Sequence, residues 1–103
     1  MLFYTTHDSG VLKMVLQGEL DEHTAVELRK QADAAIDEFA SSNRAVLDLG
    51  GVSFMDSTGI GFLIGRYKKC KRYGIPLYIS KINSQADKIL SMSGVYTLIP
   101  KIN

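Results

Sequence analysis

Residues 45–61, AVLDLGGVSFMDSTGIG, contain the junction that decides the fold. The stretch opens with a short, nearly continuous apolar run at 45–49, which predicts a central strand buried on both faces. After two glycines the chain reaches Asp56 and Ser57. Both residue types favour helix starts, because their side-chain oxygens accept hydrogen bonds from free backbone N–H groups. The stretch therefore predicts a buried strand that leads directly into a helix.

The segment on the C-terminal side of this junction predicts a helix over 58–73. Gly74 is a natural residue just past a helix end, and Pro76 prevents the helix from continuing. The inward-facing side chains of this helix are predicted to be Ile60, Leu63, Ile64 and Tyr67, with Cys70 or the stem of Lys71 in the last turn. The later elements are predicted to be a strand at 77–79, a helix at 84–93 ended by Gly94, and a last short strand at 96–99.

The segment on the N-terminal side predicts a hairpin followed by a helix. Two strands are predicted at 2–7 and 11–17, joined by a turn at 8–10, and Gly18 ends the second strand. An amphipathic helix of about four turns follows. Its apolar face is predicted to consist of Leu28, Ala32, Ala35, Ile36 and Phe39.

Two residues mark the start of this first helix. Thr24 and Glu27 have the spacing of a capping box, and Asp21 could serve the same purpose one turn earlier. An aspartate at this position is typical of a helix cap.

The predicted order of elements defines the fold class. Strands that alternate with helices after an opening hairpin imply an α/β fold. Its mixed, mostly parallel sheet is expected to contain four to five strands, covered by three to four helices. The chain has 103 residues, of which 46% are hydrophobic, so one core and one domain over 1–103 are expected.

The charges are unevenly distributed along the chain. Residues 1–56 contain ten acids and four bases, whereas residues 57–103 contain one acid and eight bases. Five of these bases lie on the predicted helix at 58–73, and they are interpreted as a solvated helix face rather than as a nucleic-acid patch. Direct binding of nucleic acid is therefore not expected.

Other functional classes are disfavoured by what the sequence contains. No apolar stretch approaches the roughly 20 residues that cross a bilayer, and the N-terminus does not resemble a secretory signal. Cys70 is the one cysteine, so it is expected to be a packing residue and not part of a disulfide or a zinc site. A cytoplasmic protein without a cofactor or membrane partner is expected.

Ser57 allows a sharper hypothesis than a simple helix cap. A helix N-terminus tolerates an added phosphate, because free N–H groups and the positive end of the helix dipole face it. A phosphoserine beside Asp56 would make the local field strongly negative and disrupt a docked partner without unfolding the protein. Thr58 is an alternative acceptor.

A hydrolase with Ser57, His23 and either Asp21 or Asp48 is the enzyme alternative, but the G-x-S-x-G elbow is missing.

Three glycines follow the serine, at Gly59, Gly61 and Gly65. Their spacing is neither the dinucleotide-binding fingerprint nor a phosphate-binding loop. Glycine within a helix is destabilising by about 0.8–1 kcal/mol relative to alanine. The glycines therefore predict close approach of another backbone, either from the sheet below or from a partner above.

Several motifs together resemble one known family. They are GELD at 18–21, SFMDS followed by x-G-x-G at 53–61, GRYK at 65–68 and MSG at 92–94. In this order they resemble the single-domain STAS proteins that act as anti-sigma factor antagonists, most closely the anti-sigma F factor antagonists of spore-forming bacteria. The resemblance covers essentially the whole chain and implies the STAS fold.

The resemblance also implies a regulatory cycle. The unphosphorylated protein would bind an anti-sigma factor that is also a serine kinase, which releases the sigma factor for sporulation transcription. The kinase would use ATP and magnesium to phosphorylate Ser57 and so end binding, and a PP2C-type serine phosphatase would restore the active form. The free protein is expected to be a monomer and to have no catalytic or metal site. The implied partner-binding residues are Asp21, Asp56, Ser57, Thr58, Gly59, Ile60 and Gly61.

Small departures from the family pattern leave two further alternatives open. Thr58 replaces a common serine, Glu22 stands where the nearest relatives have histidine, and a final helix of the family is expected to be reduced. One alternative is an antagonist of the general-stress branch. The other is a STAS module that senses a ligand or serves as a scaffold without being phosphorylated.

Overall fold

The computed structural model describes residues 1–102 as one four-stranded sheet with three α-helices. Its elements are β1 (Leu2–Asp8), β2 (Val11–Leu20), α1 (Ala25–Glu38), β3 (Arg44–Met55), α2 (Ser57–Arg72), β4 (Leu77–Ser80), α3 (Ser84–Ser93) and a 3₁₀ turn (Val95–Thr97). The strand order is β1-β2-β3-β4. This arrangement confirms the predicted α/β class and the mixed sheet.

The sheet begins with an antiparallel hairpin and continues with parallel strands. β1 pairs antiparallel with β2, while β2, β3 and β4 run parallel to one another. The hairpin loop consists of Ser9 and Gly10, whose φ angles of 52° and 78° are both left-handed. Such a loop matches the twist of the two strands that it joins. The predicted hairpin is thus confirmed.

The core lies between the sheet and the helices. Leu12, Met14 and Leu16 of β2 are fully buried, as their alternation predicts. The predicted apolar face of α1 is also confirmed, with Phe39 partly buried at the helix end. Its buried residues are Leu28, Ala32, Ala35 and Ile36.

Two strands are longer than the sequence predicts. β3 continues through both glycines to Met55, and β2 continues through Gly18 to Leu20. The reason lies between the strands: a side chain at Gly51 would place its Cβ 2.6 Å from Cγ of Gln17, its partner on β2. Glycine therefore permits pairing here instead of ending it. As a result, β2 and β3 reach the same edge of the sheet.

The predicted last strand at 96–99 is wrong. Gly94 ends α3 in the left-handed conformation with φ 80°, and the backbone then turns into the 3₁₀ turn. The amides of Leu98 and Ile99 both donate to the carbonyl of Val95, so they do not pair with β4. Within the described chain, Lys101 makes an isolated bridge to β4 at Ile79.

The inward face of α2 also differs from the prediction. Its buried residues are Gly59, Phe62, Leu63, Arg66 and Cys70, whereas Ile60, Ile64 and Tyr67 are only partly buried. The helix is rotated because it packs on α1 as well as on the sheet, and Arg66 Nε lies 2.8 Å from Asp33 Oδ1 on α1. Arg66 is thus not part of a solvated basic face.

The prediction that Cys70 is a packing residue is confirmed, and burial raises the pKa of its thiol to about 11.

The helices are short and carry many charges. α2 has 16 residues, which corresponds to a length of about 24 Å. None of the helices within residues 1–102 is long and apolar enough to cross a membrane.

Candidate functional site

Two strand–helix junctions lie side by side at one edge of the sheet. Leu20 pairs with Met55 at the carboxyl ends of β2 and β3, and the amide of Asp56 donates to the carbonyl of Leu20 over 3.3 Å. Asp21 and Asp56 are therefore the first residues after two neighbouring parallel strands. In open α/β sheets this edge is where ligands and partners bind.

Asp21 organises the turn before α1. Its Oδ1 accepts hydrogen bonds from the amides of His23 and Thr24, at 2.9 and 3.1 Å. Thr24 Oγ1 instead donates to the carbonyl of Glu19, so Thr24 does not cap the helix with its side chain. The predicted capping box of Thr24 and Glu27 is thus wrong, and Asp21 caps the turn that precedes α1, not the helix itself.

Asp56 caps α2 directly. Its backbone is extended, and its Oδ1 accepts a hydrogen bond of 2.9 Å from the amide of Thr58. Ser57 is consequently the first residue of the helix, one position earlier than predicted, and it is exposed. Thr58, the alternative phosphate acceptor, is partly buried. The cap predicted at this junction is confirmed.

The glycines after Ser57 differ in their surroundings. A Cβ at Gly59 would lie 2.5 Å from Cγ of Met55, so this glycine permits close approach to the sheet. A Cβ at Gly61 or Gly65 would meet nothing within 4 Å. Gly61 is exposed and Ile60 is partly buried. Close approach is therefore found at Gly59, but to the side chains of Met55 and Leu20 and not to another backbone as predicted.

A groove separates the first turns of α1 and α2. Its volume is about 340 Å³, and its walls come from both junctions. The wall from α1 is not predicted from the sequence. The available signal is Val26, an apolar residue that lies off the buried face of its helix and is 55% exposed in the structure. Within residues 1–102 no carboxylate lies within 4 Å of the side-chain nitrogens of Arg29. The lining residues are Glu22, Ala25, Val26, Arg29, Thr58, Gly61 and Phe62.

The residues of the hydrolase alternative have other partners. Nε2 of His23 lies 3.8 Å from a carboxylate oxygen of Glu22. Asp48 accepts from the amide of Gly50 at 2.9 Å, and its Oδ2 lies 3.5 Å from Nζ of Lys13. Asp48 is therefore engaged on the central strand, several residues before the junction.

Comparisons with known proteins agree with this architecture. The model of the STAS domain matches residues 3–103. An anti-sigma F factor antagonist of Paenibacillus polymyxa is 38% identical over 94 residues, which cover 91% of this chain and 80% of that protein. An anti-sigma-B factor antagonist of Bacillus subtilis is 26% identical over 88 residues, which cover 85% of this chain and 78% of that protein.

A solved protein has the same fold. The structure of the anti-sigma factor antagonist SpoIIAA in its unphosphorylated form superposes with a TM-score of 0.80 at 21% identity, covering 99% of this chain and 89% of that one. The phosphorylated form of Bacillus SpoIIAA gives a TM-score of 0.72 at 21% identity, covering 99% of this chain and 92% of that one. At this level of identity the likeness is one of fold.

Proposed function

This chain belongs to the STAS domain family, among the anti-sigma factor antagonists, and we propose that phosphorylation of Ser57 switches its binding. The unphosphorylated protein binds an anti-sigma factor serine kinase and so releases a sigma factor for sporulation transcription. Phosphorylation by that kinase ends the binding, and a PP2C-type serine phosphatase restores it. The protein acts in the cytoplasm and is a monomer when free.

The observation that carries this proposal is that Ser57 is exposed and is the first residue of α2. A phosphoserine carries about −1.5 to −2 charges at neutral pH. The positive end of the helix dipole partly offsets this charge, so the fold is expected to tolerate the modification. The SpoIIAA fold has been solved in a phosphorylated form, which is compatible with this expectation.

The docking surface comprises the exposed parts of both junctions, namely Asp21, Asp56, Ser57, Thr58, Ile60 and Gly61, and Gly59 supports it from below. Exposed Glu19 and Glu22 lie at its border, and Asp21 and Asp56 are partly accessible. A surface rich in carboxylates suits a partner that presents basic side chains. A phosphate dianion on Ser57 then weakens binding, because it would lose its water inside the interface and would occupy space that the partner fills.

The sporulation branch is supported by the 38% identity to the anti-sigma F factor antagonist. The general-stress branch is the second candidate, because an anti-sigma-B factor antagonist is also a relative, at 26% identity. The two differ in the partner kinase and the sigma factor, whereas the switch at Ser57 is the same in both.

A phosphorylation and binding experiment tests the proposal. The protein is incubated with candidate anti-sigma factor kinases of both branches and with ATP and magnesium, and mass spectrometry locates the phosphate. We expect phosphate on Ser57, persistent kinase binding by Ser57→Ala, and roughly ten- to hundredfold weaker binding by Ser57→Asp, because its carboxylate, like the phosphate, must lose its water inside the interface.

The chain offers a matched control for this experiment. Ser84 is also exposed and is also the first residue of a helix, α3, after the cap residue Asn83. Ser84→Ala should therefore keep wild-type phosphorylation and binding. The proposal is lost if neither kinase phosphorylates the wild type and both Ser57 variants, with native circular dichroism, bind as the wild type does.

A further inference from the structure

The last part of β3 is held by side chains on its β4 side. β4 pairs with β3 only from Ala45 to Asp48, so the described chain provides no strand beside residues 52–55 on that side. The segment that leads into α3 takes this place. Asn83 Nδ2 donates to the carbonyl of Val52 at 2.8 Å, and Gln85 reaches Met55.

Gln85 makes two hydrogen bonds to one backbone residue. Its Oε1 accepts from the amide of Met55 at 3.1 Å, and its Nε2 donates to the carbonyl of Met55 at 2.8 Å. A primary amide has one acceptor and a donor group, as a peptide unit has. Gln85 thus replaces the hydrogen bonds of a missing strand at a single position.

Met55 connects this clamp to the phosphorylation site. On the other side its backbone pairs with Leu20 of β2, and its side chain is fully buried. That side chain lies directly below Gly59 in the first turn of α2, where an added Cβ would come within 2.5 Å of Met55 Cγ. The chain continues from Met55 to the cap residue Asp56 and then to Ser57. The position of Met55 therefore determines where α2 begins.

We infer that Gln85 is a positioning residue for the switch: by clamping Met55, it fixes Asp56 and Ser57 in the conformation that the kinase recognises. This inference rests on the proposed function of Ser57. Without the clamp, the junction samples more conformations, and the apparent affinity falls in proportion to the fraction that is competent.

Amide hydrogen exchange in the isolated, unphosphorylated protein tests the clamp directly. In Gln85→Ala we expect the amides of Met55 and Thr58 to lose most of their protection and to exchange nearly as fast as unprotected amides, because the lost hydrogen bonds leave the segment open in most molecules. Exchange at the core amide of Leu47 should remain as in the wild type. Gln85→Glu keeps the acceptor but places a carboxylate oxygen against the carbonyl of Met55, so it should also speed exchange at both amides, and it serves if the alanine variant does not fold.

Kinetics with the kinase form the second measurement. We expect the KM for Gln85→Ala as a protein substrate to be roughly tenfold higher, with kcat unchanged, since a bound molecule is already in the competent conformation. Gln31→Ala, an exposed glutamine on α1, should change neither exchange nor KM.

The outcomes separate this inference from the function proposed for Ser57. Unchanged exchange at Met55 or Thr58 in Gln85→Ala would overturn the inference, even if Ser57 is phosphorylated normally. Faster exchange with a wild-type KM would also overturn it. Absence of phosphate uptake by the wild type would count against the role of Ser57, while the exchange data would still decide whether Gln85 positions the junction.

Discussion

The two junctions β2–α1 and β3–α2 begin alike and end differently. Each follows one of two paired parallel strands, and each starts with an aspartate whose side chain accepts backbone hydrogen bonds. Asp21, however, caps a separate turn, and α1 begins only at Ala25. Asp56 caps α2 itself, so Ser57 is already helical. A fixed acid is thus placed beside a hydroxyl that can be modified.

Under the proposed function, this difference suits the two junctions to different tasks. The first offers a permanent negative charge, which suits recognition. The second places a hydroxyl at the positive end of a helix dipole, where a phosphate is tolerated by the fold. A close approach between helix and sheet at Gly59 permits this arrangement, and the β2–α1 junction contains no such glycine.

The largest effect on stability is expected when this close approach is blocked. Gly59→Ala brings a methyl group within 2.5 Å of Cγ and 2.8 Å of Sδ of the fully buried Met55. Repacking a filled core typically lowers the free energy of unfolding by about 1–3 kcal/mol. Urea unfolding should show this loss, and partner binding should weaken because α2 is displaced.

Gly61→Ala is the matched control on the same helix. No atom lies within 4 Å of its Cβ, so the protein should gain up to about 1 kcal/mol from helix propensity. If the groove beside Gly61 belongs to the docking surface, this more stable variant should bind the anti-sigma factor less tightly. Equal destabilisation by both alanines would contradict the assignment of the two glycines.

The comparison of junctions also shows which features the sequence reveals. Local patterns predict the hairpin, the buried face of α1 and the cap at Asp56, because each depends on residues close together in the chain. Gly50 and Gly51 are misinterpreted as the end of a strand, because local propensity disfavours glycine in strands. The contact that explains Gly51 comes from Gln17 on another strand and leaves no local signal.

The sequence does not predict the burial of Arg66 or the contact made by Gln85, for the same reason. A basic residue near four others is typical of a solvated surface, but Arg66 is buried against Asp33 of α1. In the sequence, Gln85 is an ordinary polar residue of a short helix. In the structure, β4 pairs only with the first part of β3, so the backbone of Met55 has no strand on that side and bonds to Gln85 instead. Both roles depend on tertiary neighbours, which one sequence does not identify.

Substitutions of the two aspartates are expected to have the next largest effects on stability. They distinguish the role of an aspartate as a cap from its role as a charge. Asp56→Ala removes the acceptor for the amide of Thr58 and should cost about 1 kcal/mol of stability. Asp21→Asn keeps an acceptor oxygen for the amides of His23 and Thr24, so its stability should change by less than about 0.5 kcal/mol.

Binding separates the charge of Asp21 from its role in the turn. If Asp21 is recognised through its charge, Asp21→Asn binds the anti-sigma factor more weakly, and its affinity depends less on salt concentration than that of the wild type. Titration calorimetry at two salt concentrations measures this. Wild-type affinity and salt dependence for Asp21→Asn would leave Asp21 with a purely structural role.

The smallest effect is expected at the far ends of the same two helices, remote from both junctions. The hydroxyl of Tyr73, just after α2, donates to the carboxylate of Asp37 near the end of α1, and Lys69 Nζ lies 3.1 Å away from that carboxylate. The Tyr73 hydrogen bond, followed by the Lys69 contact, lowers the pKa of Asp37 below its ordinary value. The resulting stabilisation is present above that ordinary value and is lost as the pH falls through the lowered pKa. Tyr73→Phe should therefore be slightly less stable than the wild type at about pH 7, and this difference should be lost at a pH well below the lowered pKa of Asp37. Urea unfolding at both pH values measures it, with the exposed Tyr4→Phe as control.

A difference that is independent of pH would assign the contribution of Tyr73 to packing. Altered phosphorylation of Ser57 in this variant would show that the two ends of the helices are coupled.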